Sequence, residues 1–141
     1  MTHRSWTRHL GVALALFAVL TLFPMASATA AENTTSGTVR VCRIDWRRST
    51  WHVRKLIRCA ASHYDVGVRR SLRVAFRESR YRPRAFNSSS CAKGIYQHLC
   101  RYWSDRAETY GFSDRSAFNA RANIIVTMRM VRRAGWAPWG G

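Results

Sequence analysis

Acid is scarce in this sequence. Seven Asp and Glu stand against 24 Lys and Arg, a formal net charge of +17. Lysine is scarce as well: only Lys55 and Lys93 occur, so arginine carries the charge. The chain also lacks a long hydrophobic run. Its longest uncharged apolar stretch, Leu10 to Phe23, is shorter than the roughly 20 residues of a membrane-spanning helix. No internal repeat is present, and there is no second linker to divide the chain.

What is there begins with an export signal. Arg4 and Arg8 supply a positive start, Leu10–Phe23 the apolar centre, and Pro24 a break. Small-residue cleavage sites follow at Ala26-Ser27-Ala28 and Ala28-Thr29-Ala30. Residues 1–30 therefore read as a secretory signal peptide. Residues 31–48 read as an N-terminal lead-in, small and polar at first, and residues 49–141 as one domain. After cleavage no stable membrane span remains, and the product is expected outside the cell or bound to a bacterial wall, as a monomer.

A field this positive draws polyanions. Export removes the protein from nucleic acid, so the expected partners are anionic wall polymers rather than DNA or RNA. The plainer alternative is that most of these arginines form solvated faces. Four cysteines, Cys42, Cys59, Cys91 and Cys100, are an even count in a small exported domain, where disulfides are the rule. Of the three connectivities, Cys42–Cys59 with Cys91–Cys100 is favoured because each pair closes a local loop. Cys59 with His63, and Cys91 with His98 and Cys100, have zinc-like spacings but match no familiar ligand set. No metal and no cofactor are expected.

Hydrophobic periodicity predicts four helices. Val53, Leu56, Ile57, Ala60, Ala61 and Tyr64 form a one-face stripe, so a helix is expected from Trp51 to about His63, capped by Ser49 or Thr50. A second is expected from Val68 to about Arg80, with Val68, Leu72, Ala75, Phe76 and Ser79 on its inner side; Pro83 ends it. Residues 84–100 lack helical period and read as a loop or small β-hairpin. Trp103–Tyr110 reads as a short helix, and Ser116–Ala134 as the last one, with Gly135 as a C-cap. The tail is not expected to be helical through Pro138. The fold class is α+β, mostly α.

Glu78 is the only acid between Asp65 and Asp105. It follows Ala75 by three residues and so sits beside the apolar face of its helix. A glycosidic bond needs a proton on its leaving oxygen, and a carboxyl supplies one near neutral pH when burial against apolar groups favours its acid form. Ala75, Phe76 and the last helix are the expected surroundings. The alternative is a surface ion pair with one of the many arginines. Glycosidases commonly use a second carboxylate. Asp65, Asp105, Glu108 and Asp114 are available, but none stands in a context that singles it out, which favours one essential acid.

Three motifs in order then carry a resemblance: Glu78-Ser79; Asn87-Ser88-Ser89-Ser90-Cys91-Ala92-Lys93-Gly94-Ile95-Tyr96-Gln97; and Asn123-Ile124. Over residues 52–135 the chain resembles the soluble lytic transglycosylase (SLT) domain of the lysozyme-like superfamily. The resemblance implies a lysozyme-like fold with a small β-region beside a cleft. The implied substrate is the peptidoglycan glycan strand, cut at the β-1,4 bond between N-acetylmuramic acid and N-acetylglucosamine. Glu78 would serve first as acid and then as base toward the muramyl C6 hydroxyl, closing a 1,6-anhydro ring. Ser79 would orient Glu78 or substrate, Gly94, Tyr96 and Gln97 would line the cleft, and Asn123 would build the site or its scaffold. A hydrolysing muramidase of the same fold, or a non-catalytic cationic wall-binding or antimicrobial protein, are the alternatives.

Two positions depart from that pattern. Thr127 stands where the family has Gly, and Met130-Val131 where it has Tyr-Leu, whose Tyr contacts the acid. A substitute partner for Glu78 is then expected in Tyr96 or Tyr102. The segment after Gln97 is also replaced, by His98-Leu99-Cys100-Arg101-Tyr102-Trp103. His98 reads as a solvated loop residue. Tyr102, Trp103, Trp136 and Trp139 are candidates for sugar stacking or for packing.

Overall fold

The computed structural model describes residues 41–141. The signal segment and the first ten residues of the lead-in lie outside the described residues. Four α-helices and a small antiparallel sheet make up the described chain. They are α1 (Thr50–His63), α2 (Val68–Ser79), β1 (Phe86–Asn87), β2 (Ala92–Lys93), β3 (His98–Leu99), α3 (Cys100–Thr109) and α4 (Ala120–Ala134), followed by a 3₁₀ turn at Ala137–Trp139. The class is mixed α and β, mostly helical.

Helix α1 forms where its stripe and cap coincide. Ser49 accepts the His52 amide, and Val53, Leu56, Ile57, Ala60 and Ala61 are buried. Helix α2 begins as expected, but its buried face is Ser71, Val74, Ala75 and Ser79. Phe76, assigned to the inner side from sequence, is 54 % exposed. Small side chains let α2 approach its neighbours closely: Ser71 is fully buried and bonds its hydroxyl to the Gly67 carbonyl. A bulky Phe76 has no place on that face.

Helix α4 is the centre of the fold. From Ala122 to Met128 every residue is buried, more than one stripe provides. No charge interrupts that stretch, so the helix can be covered on all sides. Helices α1 and α3 pack against it. It starts at Ala120 rather than Ser116, because Asn119 caps the Ala122 amide at 3.1 Å. Helix α3 begins three residues earlier than expected, at Cys100.

The β-region is three two-residue strands in the order β1-β2-β3, antiparallel, with Phe86 opposite Lys93 and Lys93 opposite His98. Disulfides join Cys42 to Cys59 and Cys91 to Cys100. The first holds residues 42–46 on α1, where Ile44 and Trp46 pack against the core. The tail departs from its sequence reading: Pro138 lies inside the 3₁₀ turn, at a position where its missing N–H goes unused. Trp136 and Trp139 are both buried.

Gly94 fixes how the β-region meets α4. It has a positive φ of 82°, and a Cβ there would lie 2.2 Å from the Ala117 carbonyl oxygen and 2.3 Å from Asn123 Nδ2. A Gly94→Ala chain is expected to lose about 3 kcal/mol of stability, from strain and overpacking together. Urea denaturation measures it; an unchanged midpoint would show that the loop does not sit this close to α4.

Candidate active site

Glu78 and Ser79 close helix α2. Arg80 and Tyr81 then take left-handed backbone conformations, and the Arg80 amide returns to the Phe76 carbonyl at 2.8 Å. The chain turns sharply there, which leaves the end of the helix against residues 94–97. Ser79 makes that junction. Its buried hydroxyl has one proton, shared between the Ile95 carbonyl at 2.8 Å and the Ala75 carbonyl at 3.1 Å. The side chain of Ser79 is thus committed inside the protein.

The Glu78 carboxylate is 24 % exposed. Asp45, Asp65, Asp105, Glu108 and Asp114 are all exposed, so Glu78 is the one half-buried acid among the described residues. Its partner is neither Tyr96 nor Tyr102. Arg77 donates to Oε1 from Nη2 at 2.8 Å and from Nε at 3.1 Å, and the same Nη2 reaches the Trp139 carbonyl at 2.5 Å. The guanidinium therefore ties Glu78 to the C-terminal turn. Phe76 points to solvent and does not provide the apolar surroundings expected of it.

The three sequence motifs meet in the fold. Asn123, fully buried on α4, accepts the Tyr96 amide at 2.9 Å through Oδ1. Its Nδ2 donates to the carbonyls of Ala117 at 2.9 Å and Lys93 at 3.3 Å. Gly94 packs directly on it. The Tyr96 ring is fully buried, its hydroxyl donates to the Ser71 carbonyl at 3.0 Å, and burial holds its phenol well above the ordinary range, in the protonated form. Gln97 is half-buried, and its amide nitrogen donates to the carbonyls of Gly94 at 2.9 Å and Ala85 at 3.3 Å. Gly94, Tyr96 and Asn123, expected to line or build a cleft, are buried scaffold; only Glu78 and Gln97 keep partial exposure.

His98 is buried, contrary to its reading as a solvated loop residue. Arg106 Nη1 lies 3.0 Å from Nδ1, and Thr127 Oγ1 lies 2.8 Å from Nε2. Arg106 can only donate, so Nδ1 accepts and the proton sits on Nε2, which donates to Thr127; Thr127 in turn donates to the Asn123 carbonyl at 2.8 Å. Thr127 and His98 are both departures from the SLT pattern, and they bond to each other. Of the aromatics considered for sugar, Trp136 and Trp139 are core, and Trp103 is half-buried with its indole N–H on the Arg115 carbonyl at 2.8 Å. Tyr102 stays exposed, between the guanidiniums of Arg101 and Arg106.

Among the described residues no group of three His, Cys, Asp or Glu converges as a metal site, and the thiols of both zinc-like spacings are in disulfides. No helix there is long and apolar enough to cross a membrane. Searches against protein-family models, curated proteins and solved structures find no match to this chain.

Burial, and then the Arg106 charge, keep the His98 imidazole neutral, lowering its pKa to about 3; a backbone contact from Asn123 opposes this in part. An unfolded histidine takes a proton near 6.5. The contribution of His98 is therefore complete above that pH and is lost as pH falls toward 3, with a limiting slope of about 1.4 kcal/mol per pH unit. Denaturant unfolding at about pH 7, 5.5 and 4 is expected to show this loss, and a His98→Gln chain a shallower one. Parallel curves for the two chains would mean that His98 protonation is not linked to folding.

Proposed function

We propose that this chain is a peptidoglycan-cleaving enzyme of lysozyme-like fold, with Glu78 as its single essential acid. The observation that carries the proposal is the placement of Glu78. It is the one half-buried acid among the described residues, and it stands where the end of α2 is bonded to the Gly94–Gln97 loop. The resemblance to the SLT domain rests on three separated motifs, and direct bonds between them support it: Ser79 to Ile95, and Asn123 to Tyr96. Two disulfides are compatible with work outside the cell.

In this reading Glu78 protonates the oxygen between N-acetylmuramic acid and N-acetylglucosamine. The N-acetyl group of the substrate supports the anomeric carbon as the bond breaks. Glu78, now a carboxylate, takes the proton of the muramyl C6 hydroxyl, and O6 closes on C1 to give the anhydro product. Each step leaves Glu78 in the state that the next one requires.

One observation favours a second reading. The carboxylate of Glu78 is already paired with Arg77, as in an ordinary surface ion pair. A cationic wall-binding protein without catalysis would tolerate that. Release of muropeptides from purified walls by the parent separates the two, and Glu78→Gln assigns it: the variant should fold as stably as the parent, within about 1 kcal/mol given the small worth of surface pairs, and release none. Retained release would sink the assignment. Mass spectrometry of the parent's products distinguishes a transglycosylase, with anhydro ends, from a muramidase, with reducing ends.

A further inference from the structure

Glu78 lines none of the hollows that surround Trp46 and Arg47. Three hollows, of about 500, 550 and 190 Å³, share a wall formed by Trp46 and Arg47. Arg82 and Arg84 face the first, Arg84 continues into the second, and Arg115 and Arg121 line the third. The three adjoin at Trp46 and Arg47, have arginines in each lining and no acidic residue in any, and are taken together as one groove. Their commitments differ. Arg121 is tied to the Val41 and Ile44 carbonyls, Arg115 pairs with Asp114, and Arg82 donates to the Ser79 carbonyl. Arg47 and Arg84 have no carboxylate partner among the described residues. Asp45, the nearest acid in sequence, accepts the backbone amide of Arg47 and not its guanidinium.

We infer that this groove is a binding site for a phosphodiester polymer of the bacterial wall, of the polyol-phosphate type, separate from the site at Glu78. A guanidinium presents paired donors that match phosphate oxygens, and a row of them matches a repeating anion. The aromatic side chains distinguish this partner from single-stranded nucleic acid. Base stacking needs open ring faces. Here Arg47 lies over the Trp46 ring at 4.5 Å and Lys93 over the Phe118 ring at 5.6 Å, so each of these two rings already has a cation on one face, and Phe112 is buried. The groove offers charge without stacking platforms, which suits a polymer of phosphates and aliphatic polyols. Such a site holds the protein on the wall and leaves Glu78 free to meet glycan strands.

The test uses the chain without its signal segment, with poly(glycerol phosphate) and single-stranded DNA as probes. Arg47→Glu/Arg84→Glu is compared with Arg69→Glu/Arg73→Glu, which changes net charge equally on the exposed side of α2. The groove variant should bind poly(glycerol phosphate) about tenfold more weakly at low salt, with a shallower salt dependence, and the control variant within about threefold of the parent. Arg47→Gln/Arg84→Gln serves if reversal impairs folding, and should also weaken binding several-fold. Equal losses in groove and control variants would reduce the effect to net charge and overturn the proposal. Tighter binding of DNA, lost through the same groove variant, would replace it with a nucleic-acid site. Glu78→Gln should bind the polymer like the parent, so failure of this site and failure of the catalytic assignment are read separately.

Discussion

The side chain of Asn123 is the joint on which the rest of the structure depends. Its amide has one acceptor and two donors pointing in fixed directions, and all are used: for Tyr96, Ala117 and Lys93. Buried polar groups are costly when unpaired, so these bonds tolerate little displacement. They hold the 93–96 segment to α4, and Gly94 lets that segment come close enough. Ser79 then ties α2 to the same segment through Ile95. The placement of Glu78 at the end of α2 is therefore set from inside the protein, by an asparagine 45 residues further along.

Thr127 extends the same principle. A Gly at that position would leave a gap against β3; here the gap is filled by a histidine ring and a hydroxyl. Arg106, His98, Thr127 and the Asn123 carbonyl form one chain of donors and acceptors, and no buried side-chain polar atom among the described residues lacks a partner. A satisfied network of this kind gives the core a single arrangement. It also makes the core sensitive to acid, because the imidazole fits only in its neutral form.

Local signals were legible in the sequence, and long-range pairings were not. Helix α1 could be read because a clean stripe and a capping serine coincide. The local disulfides followed from loop closure, and the β-region from the loss of helical period. The inner face of α2 was misread because Ser71 looks polar and Phe76 looks apolar; close packing selects for size, and it reversed both. His98 looked solvated because its partners, Arg106 and Thr127, lie eight and 29 residues away. Arg77 was overlooked as the partner of Glu78 because consecutive residues on a helix do not face each other. At a helix end a long guanidinium can wrap around, and the Trp139 carbonyl gives it reason to. The groove around Trp46 had no sequence signature, since its walls come from three separate segments.

The scarcity of acid has a structural counterpart. A chain with this many arginines cannot pair them with carboxylates, and only two ion pairs occur among the described residues. Backbone carbonyls take their place: Arg82 bonds Ser79 at the end of α2, Arg129 bonds Tyr110 at the end of α3, Arg77 bonds Trp139, and Arg121 bonds Val41 and Ile44. Carbonyls left open at helix ends welcome cations. A neutral acceptor fixes a guanidinium in place without cancelling its charge, so the protein keeps a strong positive field on an ordered surface. It also leaves Glu78 without a neighbouring carboxylate in its sequence surroundings to share or compete for a proton. In an arginine-rich fold built this way, one half-buried acid stands apart from every other acid among the described residues.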